Sequence, residues 1–350
     1  MEYRNLGRSG LKVSTITLGT MTFGGEKVFS KTGQLGVKDA RETIAYCVDQ
    51  GVNLIDTANI YSEGKAEEIF GEVLNGKRPG DMLIATKARM RVGDGPNDSG
   101  FSRSHLIREC ERSLKRLKTD VIDVYYMHEW DGHTPLEEML EALDTLIKQG
   151  KVRYIGCSNF SGWHLMKALG VSNEQHFQRF VTQQIHYTIE AREAEYELLP
   201  ISVDQGLGTL VWSPLAGGLL TGKYTRNSRP TSGTRLTEGW TEPPIRDENR
   251  LWDIVDVLID VAKTHNATPA QVSLAWLLTR PSITSLVIGG RNLDQLKENI
   301  ASAQLTLTKD DLIRINEVSE LPLIYPYWHQ ADWTKDRFSE ADLALHRPNR

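Results

Sequence analysis

Four side chains in the first part of the chain, Asp56, Tyr61, Lys87 and His128, have types that together can polarise a carbonyl group. A phenol can give a proton to a carbonyl oxygen, but its ordinary pKa of about 10 makes it a reluctant acid near neutrality. A neighbouring ammonium favours the phenolate and brings the acid nearer its working range, which is the role open to Lys87. Asp56 would hold that ammonium and keep it charged, and His128 would hydrogen-bond and orient the substrate oxygen. These groups explain half of a reaction. No Ser/His/Asp or Cys/His spacing offers a nucleophile for the other half, and a hydride from a bound cofactor would fill the gap.

The elements that must position these groups are short apolar runs. Asn53-Leu54-Ile55 ends in Asp56, with Tyr61 on the loop beyond it; Leu83-Ile84-Ala85-Thr86 runs into Lys87, and 121–127 runs into His128. The chain starts with a hairpin over 3–13, turning through Gly7-Arg8-Ser9-Gly10 and capping one end of the fold. A first strand over 14–18 then stops at Gly19-Thr20-Met21-Thr22-Phe23-Gly24-Gly25, where glycines let a ligand approach the backbone. Helices at 39–50, 65–74, 104–117 and 135–149 alternate with strands at 53–55, 82–87, 121–127 and 152–158. Helices at 162–169 and 193–204 alternate with strands at 181–185 and 209–213, and helices at 249–264 and 269–279, a strand at 285–289 and a helix at 292–300 complete the pattern. In the helix at 135–149, Thr134, Pro135 and Glu137 read as a capping box with proline at the first helical position.

Eight strand and helix pairs close an α/β fold of the (β/α)8 TIM-barrel type, with the hairpin as a cap, extra helices and a C-terminal tail. The expectation is one domain over 1–350, the barrel in about 1–320 and the tail in 321–350. That barrel gathers the ends of its strands around one pocket, where such folds carry their chemistry. The segment 214–247 has no periodicity and reads as a functional loop. After a last helix at 309–319, the aromatic tail 325–333 either packs on the outside of the barrel or folds over the pocket. Loops 88–103, 129–133 and 225–247, with Tyr327, Trp328 and Trp333 of the tail, are expected to shape the pocket.

Later strand ends offer cofactor contacts. Ser158, Asn159 or Gln184 could bond a carboxamide, and the indole of Trp212 could stack on a flat ring. Ser213-Pro214-Leu215-Ala216-Gly217-Gly218 could run along a pyrophosphate, with Lys223 for charge. Gly289-Gly290-Arg291-Asn292 opens a helix, and such a turn is an anion site. Each residue alone has a duller explanation: Asp56 a turn cap, Lys87 a solvated charge, Tyr61 a loop anchor, His128 or Trp212 a core side chain, Arg291 a surface charge. Their placement at one end of the barrel favours the functional account over scatter.

A net charge of −5 gives no electrostatic reason to expect nucleic acid or an anionic membrane surface. The polar start of the chain and the lack of a long apolar run predict a cytoplasmic protein with no membrane segment. The three cysteines, Cys47, Cys110 and Cys157, form no CxxC pair and lie in apolar patterns, so core packing is expected rather than a disulfide, a zinc site or a nucleophile. No metal site is expected, because no cluster of carboxylates and histidines falls at the strand ends; a metal-dependent isomerase would need one. Gly206-Leu207-Gly208 precedes a strand and so lacks the context of a dinucleotide fingerprint.

The sequence resembles the aldo-keto reductase superfamily. The motifs that carry the likeness are Leu18-Gly19-Thr20-Met21, Asp56-Thr57-Ala58-Asn59-Ile60-Tyr61, Thr86-Lys87, Val124-Tyr125-Tyr126-Met127-His128, 150–160, Trp212-Ser213-Pro214-Leu215 and 289–299, in order along 1–320. The resemblance implies a barrel binding extended NADP(H) without a Rossmann domain. It also implies Tyr61 as general acid/base, Lys87 and Asp56 tuning it, and His128 orienting the carbonyl. By the same resemblance Gly19, Thr20, Met21 and Asp56 lie at the cofactor. Ser158, Asn159 and Gln184 match its carboxamide contacts, Trp212 its stacking position, and Ser213, Pro214, Leu215, Gly217 and Lys223 its pyrophosphate strap. Gln295, Glu298 and Asn299 match adenine contacts; Arg291 falls where the family often grips the 2′-phosphate, with Arg235 as a second phosphate ligand and Gly289 of the glycine turn at the cofactor. The branch looks similar to the potassium-channel β-subunits, yet Glu129-Trp130-Asp131 replaces the usual Arg-Pro-Asp after His128. The implied activity is reduction of an aldehyde or ketone by NADPH, or its reverse, on a small-molecule carbonyl or alcohol. The alternative is an NADP(H)-binding regulatory or redox-sensing subunit with weak catalysis. A homo-oligomer is compatible with either.

Overall fold

The computed structural model describes residues 1–346; positions 347–350 of the expected tail lie outside the described residues. A short antiparallel hairpin, β1 (Tyr3–Asn5) with β2 (Lys12–Ser14), precedes the barrel. Eight strands, β3 (Ile16–Gly19), β4 (Leu54–Asp56), β5 (Leu83–Ala88), β6 (Ile122–Met127), β7 (Val152–Ser158), β8 (Thr182–His186), β9 (Gly208–Trp212) and β10 (Ile283–Ile288), then close a barrel in sequence order, with β10 beside β3. All neighbouring pairs are parallel. This is a (β/α)8 TIM barrel.

The helices around it are α1 (Val37–Asp49), α2 (Lys65–Leu74), α3 (Arg103–Leu117), α4 (Leu136–Lys148), α5 (Gly162–Glu174), α6 (Leu198–Gln205), α7 (Glu248–Thr264), α8 (Pro269–Leu278) and α9 (Leu293–Ala301). Beyond them come α10 (Lys309–Ser319), α11 (Tyr327–Trp333) and α12 (Glu340–His346).

The alternation of a strand sorts side chains between two cores. Leu54, Ala85, Val124, Tyr126 and Leu210 point inward and pack with Leu6 and Val13 of the hairpin, which plugs the lower end. Their neighbours Ile55, Ile84 and Val211 face outward into one layer beneath the helices, and Tyr125 and Met127 into another. The hairpin is pressed hard against the barrel floor. Gly7 has φ +59°, and a Cβ there would lie 2.5 Å from the Val181 carbonyl oxygen, so the turn admits only glycine without rearrangement.

Helix packing is equally tight where α2 meets α3. A Cβ on Gly71 would sit 2.0 Å from the Arg116 carbonyl oxygen, a backbone atom that cannot swing away. Gly71→Ala should therefore cost about 1–3 kcal/mol of overpacking, read as a lowered denaturation midpoint.

Three local expectations change. Ser14 belongs to the hairpin, opposite Tyr3, so the first barrel strand begins at Ile16 rather than at 14. The capping box at 134–137 does not form: Pro135 is the N-cap of α4, and the Thr134 hydroxyl donates instead to Asp131 Oδ2 at 2.7 Å. The helix expected over 193–204 splits into a turn, Glu193–Glu195, and α6. Pro200 explains the break, because proline is tolerated in the first turn of a helix but not in its interior.

The aromatic tail packs on the outside of the barrel. The Tyr327 ring stacks on Tyr196 at 5.6 Å, and the Tyr196 hydroxyl donates to the Pro322 carbonyl oxygen at 2.7 Å. Helix α12 lies along α6. Tyr327, Trp328 and Trp333 thus stay away from the pocket they were expected to shape: Tyr327 finds a neighbouring surface at Tyr196, and Trp328 and Trp333 stay exposed.

Candidate active site

Strand parity explains why the candidate residues meet. Leu54 and Asp56, Ala85 and Lys87, and Leu210 and Trp212 are two apart on β4, β5 and β9, so each chemical residue extends the inward row of its strand toward the C-terminal mouth. His128 continues the row of Val124 and Tyr126. There the barrel opens into a cavity of about 690 Å³ whose lining includes Asp56, Tyr61, His128, Gln184 and Trp212.

Lys87 is fully buried, and its three N–H groups are all engaged: Nζ donates to Asp56 Oδ2 at 2.5 Å, to the Thr57 carbonyl oxygen at 2.9 Å and to the Tyr61 hydroxyl at 3.2 Å. Asp56 Oδ1 accepts from Gln184 Nε2 at 2.9 Å, which ties β4 to the far side of the barrel. Burial works against the Lys87 ammonium, but Asp56 and Tyr61 outweigh it and raise its pKa, so it stays charged at neutral pH.

Tyr61 leaves β4 on a loop held by left-handed residues: Ser62 has φ 48° and Glu63 φ 56°. The Ser62 hydroxyl pins this turn, accepting from Gly25 N and donating to the Phe23 carbonyl oxygen, both at 2.9 Å. Burial pushes the Tyr61 pKa up, the Lys87 ammonium pulls it down and the Asp56 carboxylate pushes it up again; the balance is a raised pKa. Lys87 acts in the expected direction, but the net lowering expected of it is not found, because burial of the phenol and the Asp56 charge outweigh the cation. At neutral pH Tyr61 is thus a protonated phenol with an ammonium ready to receive the phenolate. His128 stands edge-on to it, with ring centroids 5.8 Å apart. Burial, then the Lys87 and Arg89 cations, hold the imidazole pKa well below its usual value, so His128 is neutral, and among the described residues its Nδ1 has no hydrogen-bond partner.

Asn159, at φ 58°, joins two parts of the lining: Nδ2 donates to the His128 carbonyl oxygen and Oδ1 accepts from Trp212 Nε1, both at 3.0 Å. Its amide is thereby committed to positioning His128 and the indole. Beyond Trp212 the chain forms a left-handed strap with Ser213 at φ 50°, Gly217 at φ 65° and Gly218 at φ 105°. A loop crosses the strap so closely that a Cβ on Gly217 would lie 3.0 Å from the Glu242 carbonyl oxygen.

Arg235, on that loop, and Arg291, in the glycine turn before α9, face the cavity near one another. Burial and the Arg291 charge lower the Arg235 pKa, and among the described residues neither guanidinium pairs with a carboxylate. Arg291 Nη2 donates to the Lys31 carbonyl oxygen at 2.8 Å, and its backbone N–H donates to Gln295 Oε1 at 3.0 Å.

A sequence profile described as Aldo/keto reductase family matches residues 15–320. The chain belongs to the aldo/keto reductase family. It is 39% identical over 328 residues to a Bacillus subtilis (strain 168) protein called uncharacterized oxidoreductase YrpG, covering 91% of this chain and 96% of that one. It is 36% identical over 327 residues to a probable voltage-gated potassium channel subunit beta of Arabidopsis thaliana, with coverage of 91% and 96%. A rice protein of the same description, from Oryza sativa subsp. japonica, is 36% identical over 307 residues, with coverage of 86% and 90%. Membership makes the protein an oxidoreductase of a family that generally binds NAD(P)H.

Against this aldo/keto reductase frame the expected residues sort simply. Gly19, Met21, Ser158, Ser213, Pro214, Leu215, Lys223, Gly289, Gln295, Glu298 and Asn299 line the same cavity as those above. Thr20 does not: its hydroxyl and its N–H both donate to the Asp56 carbonyl oxygen, at 3.2 and 2.9 Å, so it braces β4 from behind. The lining also includes residues not singled out by sequence, among them Phe29, Met90, Thr221, Trp240 and Glu242. Phe29 packs edge-on against Tyr61 at 5.7 Å. All five sit on aperiodic segments or a short turn, where no spacing rule says which side chain turns inward.

Proposed function

We propose that the protein reduces an aldehyde or ketone to an alcohol with NADPH as hydride donor, and runs the reverse oxidation. What carries this reading is the single chain of contacts Gln184–Asp56–Lys87–Tyr61, which leaves a protonated phenol on the cavity wall beside a neutral imidazole. The fit of the cofactor rests on the other end of the same cavity. Arg235 and Arg291, held near each other without a carboxylate, suit a dianionic 2′-phosphate, and the glycine strap with Lys223 suits a pyrophosphate. Bound NADPH would supply the hydride. Tyr61 gives its hydroxyl proton to the substrate oxygen, and the phenolate left behind is stabilised by the Lys87 ammonium. His128, as a neutral N–H donor, orients that oxygen, and Trp212, braced by Asn159, walls the neighbouring space.

The test is loss of nicotinamide absorbance when protein and NADPH meet a panel of aldehydes and ketones; no loss with any of them would remove the reading. Replacing Arg235 and Arg291 by alanine should weaken NADPH binding by about 1.5–3 kcal/mol for each charge-assisted contact and leave NADH binding nearly unchanged. Equal losses for both nucleotides would move the 2′-phosphate elsewhere. A second reading, an NADP(H)-binding regulatory subunit, draws on the two plant relatives described as channel β subunits. It would be favoured by a stoichiometric protein partner together with no turnover of any carbonyl.

A further inference from the structure

Charges of both signs line the cavity: Glu298 of α9 stands with the cations near the glycine turn, and further carboxylates stand toward the reactive end. The cavity's cations, Lys223, Arg235 and Arg291, all belong to the strap, the crossing loop and the glycine turn before α9. The reactive end carries carboxylates instead. Glu129 directly follows His128 in the lining, and Glu242 reaches it from the loop that crosses Gly217.

Glu129 is half-buried: burial raises its pKa, Arg89 and the neighbouring Trp130 and Asn159 groups act to lower it, and Glu242 lies near enough to push it up. Asn159 braces His128 and Trp212 beside it, and the carboxylate lines the same cavity directly after His128. Arg89 offsets part of the Glu129 charge from behind the lining, and among the described residues no cation in the lining of this end does so. Lys87 is already matched by Asp56, and Arg89, behind the lining, donates its Nε–H to the Trp130 carbonyl oxygen at 3.1 Å. Among the described residues neither Glu129 nor Glu242 forms an ion pair. Phe29, Ile60, Met90 and Trp240 complete the wall with apolar surface.

We propose that Glu129, supported by Glu242, sets substrate charge: the site excludes carbonyl compounds bearing a carboxylate or phosphate, accepts neutral ones and favours those bearing an ammonium group. This rests on the carbonyl-reductase reading for the identity of the site. The physical reason is that like charges brought together in a partly dehydrated cavity repel far more than in water, and opposite charges attract correspondingly.

The test compares benzaldehyde, 4-carboxybenzaldehyde and 4-(trimethylammonio)benzaldehyde in the protein with NADPH. The kcat/KM order should be cationic, neutral, anionic, with the anion disfavoured by about ten- to a hundredfold against the neutral compound. Glu129→Gln should compress both ratios about tenfold, Glu242→Gln less, and Glu129→Asp should retain the order. Binding of benzoate, benzyl alcohol and benzyltrimethylammonium, followed by quenching of tryptophan fluorescence, reads the same order without turnover. Unchanged ratios in a folded Glu129→Gln protein, or benzoate bound as well as benzyltrimethylammonium, would overturn the proposal. Absent turnover with the binding order intact would remove the reductase reading and leave the charge selection standing.

Discussion

Replacing Tyr61 by phenylalanine should lower carbonyl turnover by about 10²–10⁴-fold, the usual worth of a positioned general acid, while cofactor affinity changes little. The substitution removes one oxygen and keeps the ring that packs against Phe29 and His128, so shape is nearly conserved. Only the proton and its relay to Lys87 are lost. Stopped-flow or steady-state turnover, set beside a nucleotide titration, separates the two effects; undiminished activity would take the tyrosine out of the reaction. The unaltered protein carries a pH signature of the same group. Because the Tyr61 pKa is raised, the phenol stays protonated through neutrality, and reduction should hold steady there and fall only in strongly alkaline solution. Alcohol oxidation needs the phenolate as base and should rise over that same alkaline range.

Lys87→Met should damage both stability and catalysis. The ammonium and Asp56 are both buried, at 0% and 1% exposure, and breaking a buried pair on one side leaves an uncompensated charge that costs about 3–5 kcal/mol. Gln184 would remain as a donor to that carboxylate, but not as its counter-charge. Catalysis suffers separately, since burial and Asp56 both oppose the phenolate and only Lys87 favours it. The double change Asp56→Asn with Lys87→Met distinguishes the two losses. Removing both charges should restore most of the stability, measured by denaturant unfolding, and none of the turnover. A single Lys87→Met protein as stable as the parent would mean that the pair is not buried as described.

On the proposed reading, phosphate recognition by Arg235 and Arg291 and charge selection by Glu129 would use opposite signs within one connected space.

Much of this was legible in the chain itself. Short apolar runs ending in Asp56, Lys87 and Trp212, separated by helical stripes, predict parallel strands whose ends meet at one mouth of a barrel, and the structure adds that parity puts those residues on the inward row. The reason is local: side-chain direction follows from backbone alternation, and eight repeats leave few ways to close. Folding in three dimensions decided the rest. It set the sign of the Tyr61 shift, since the depth of a phenol and its distance from two opposite charges are properties of packing. It turned Thr20 behind β4, sent the aromatic tail to Tyr196 and brought Glu242 beside Glu129, because loops and termini obey no period and settle wherever distant surfaces leave room for them.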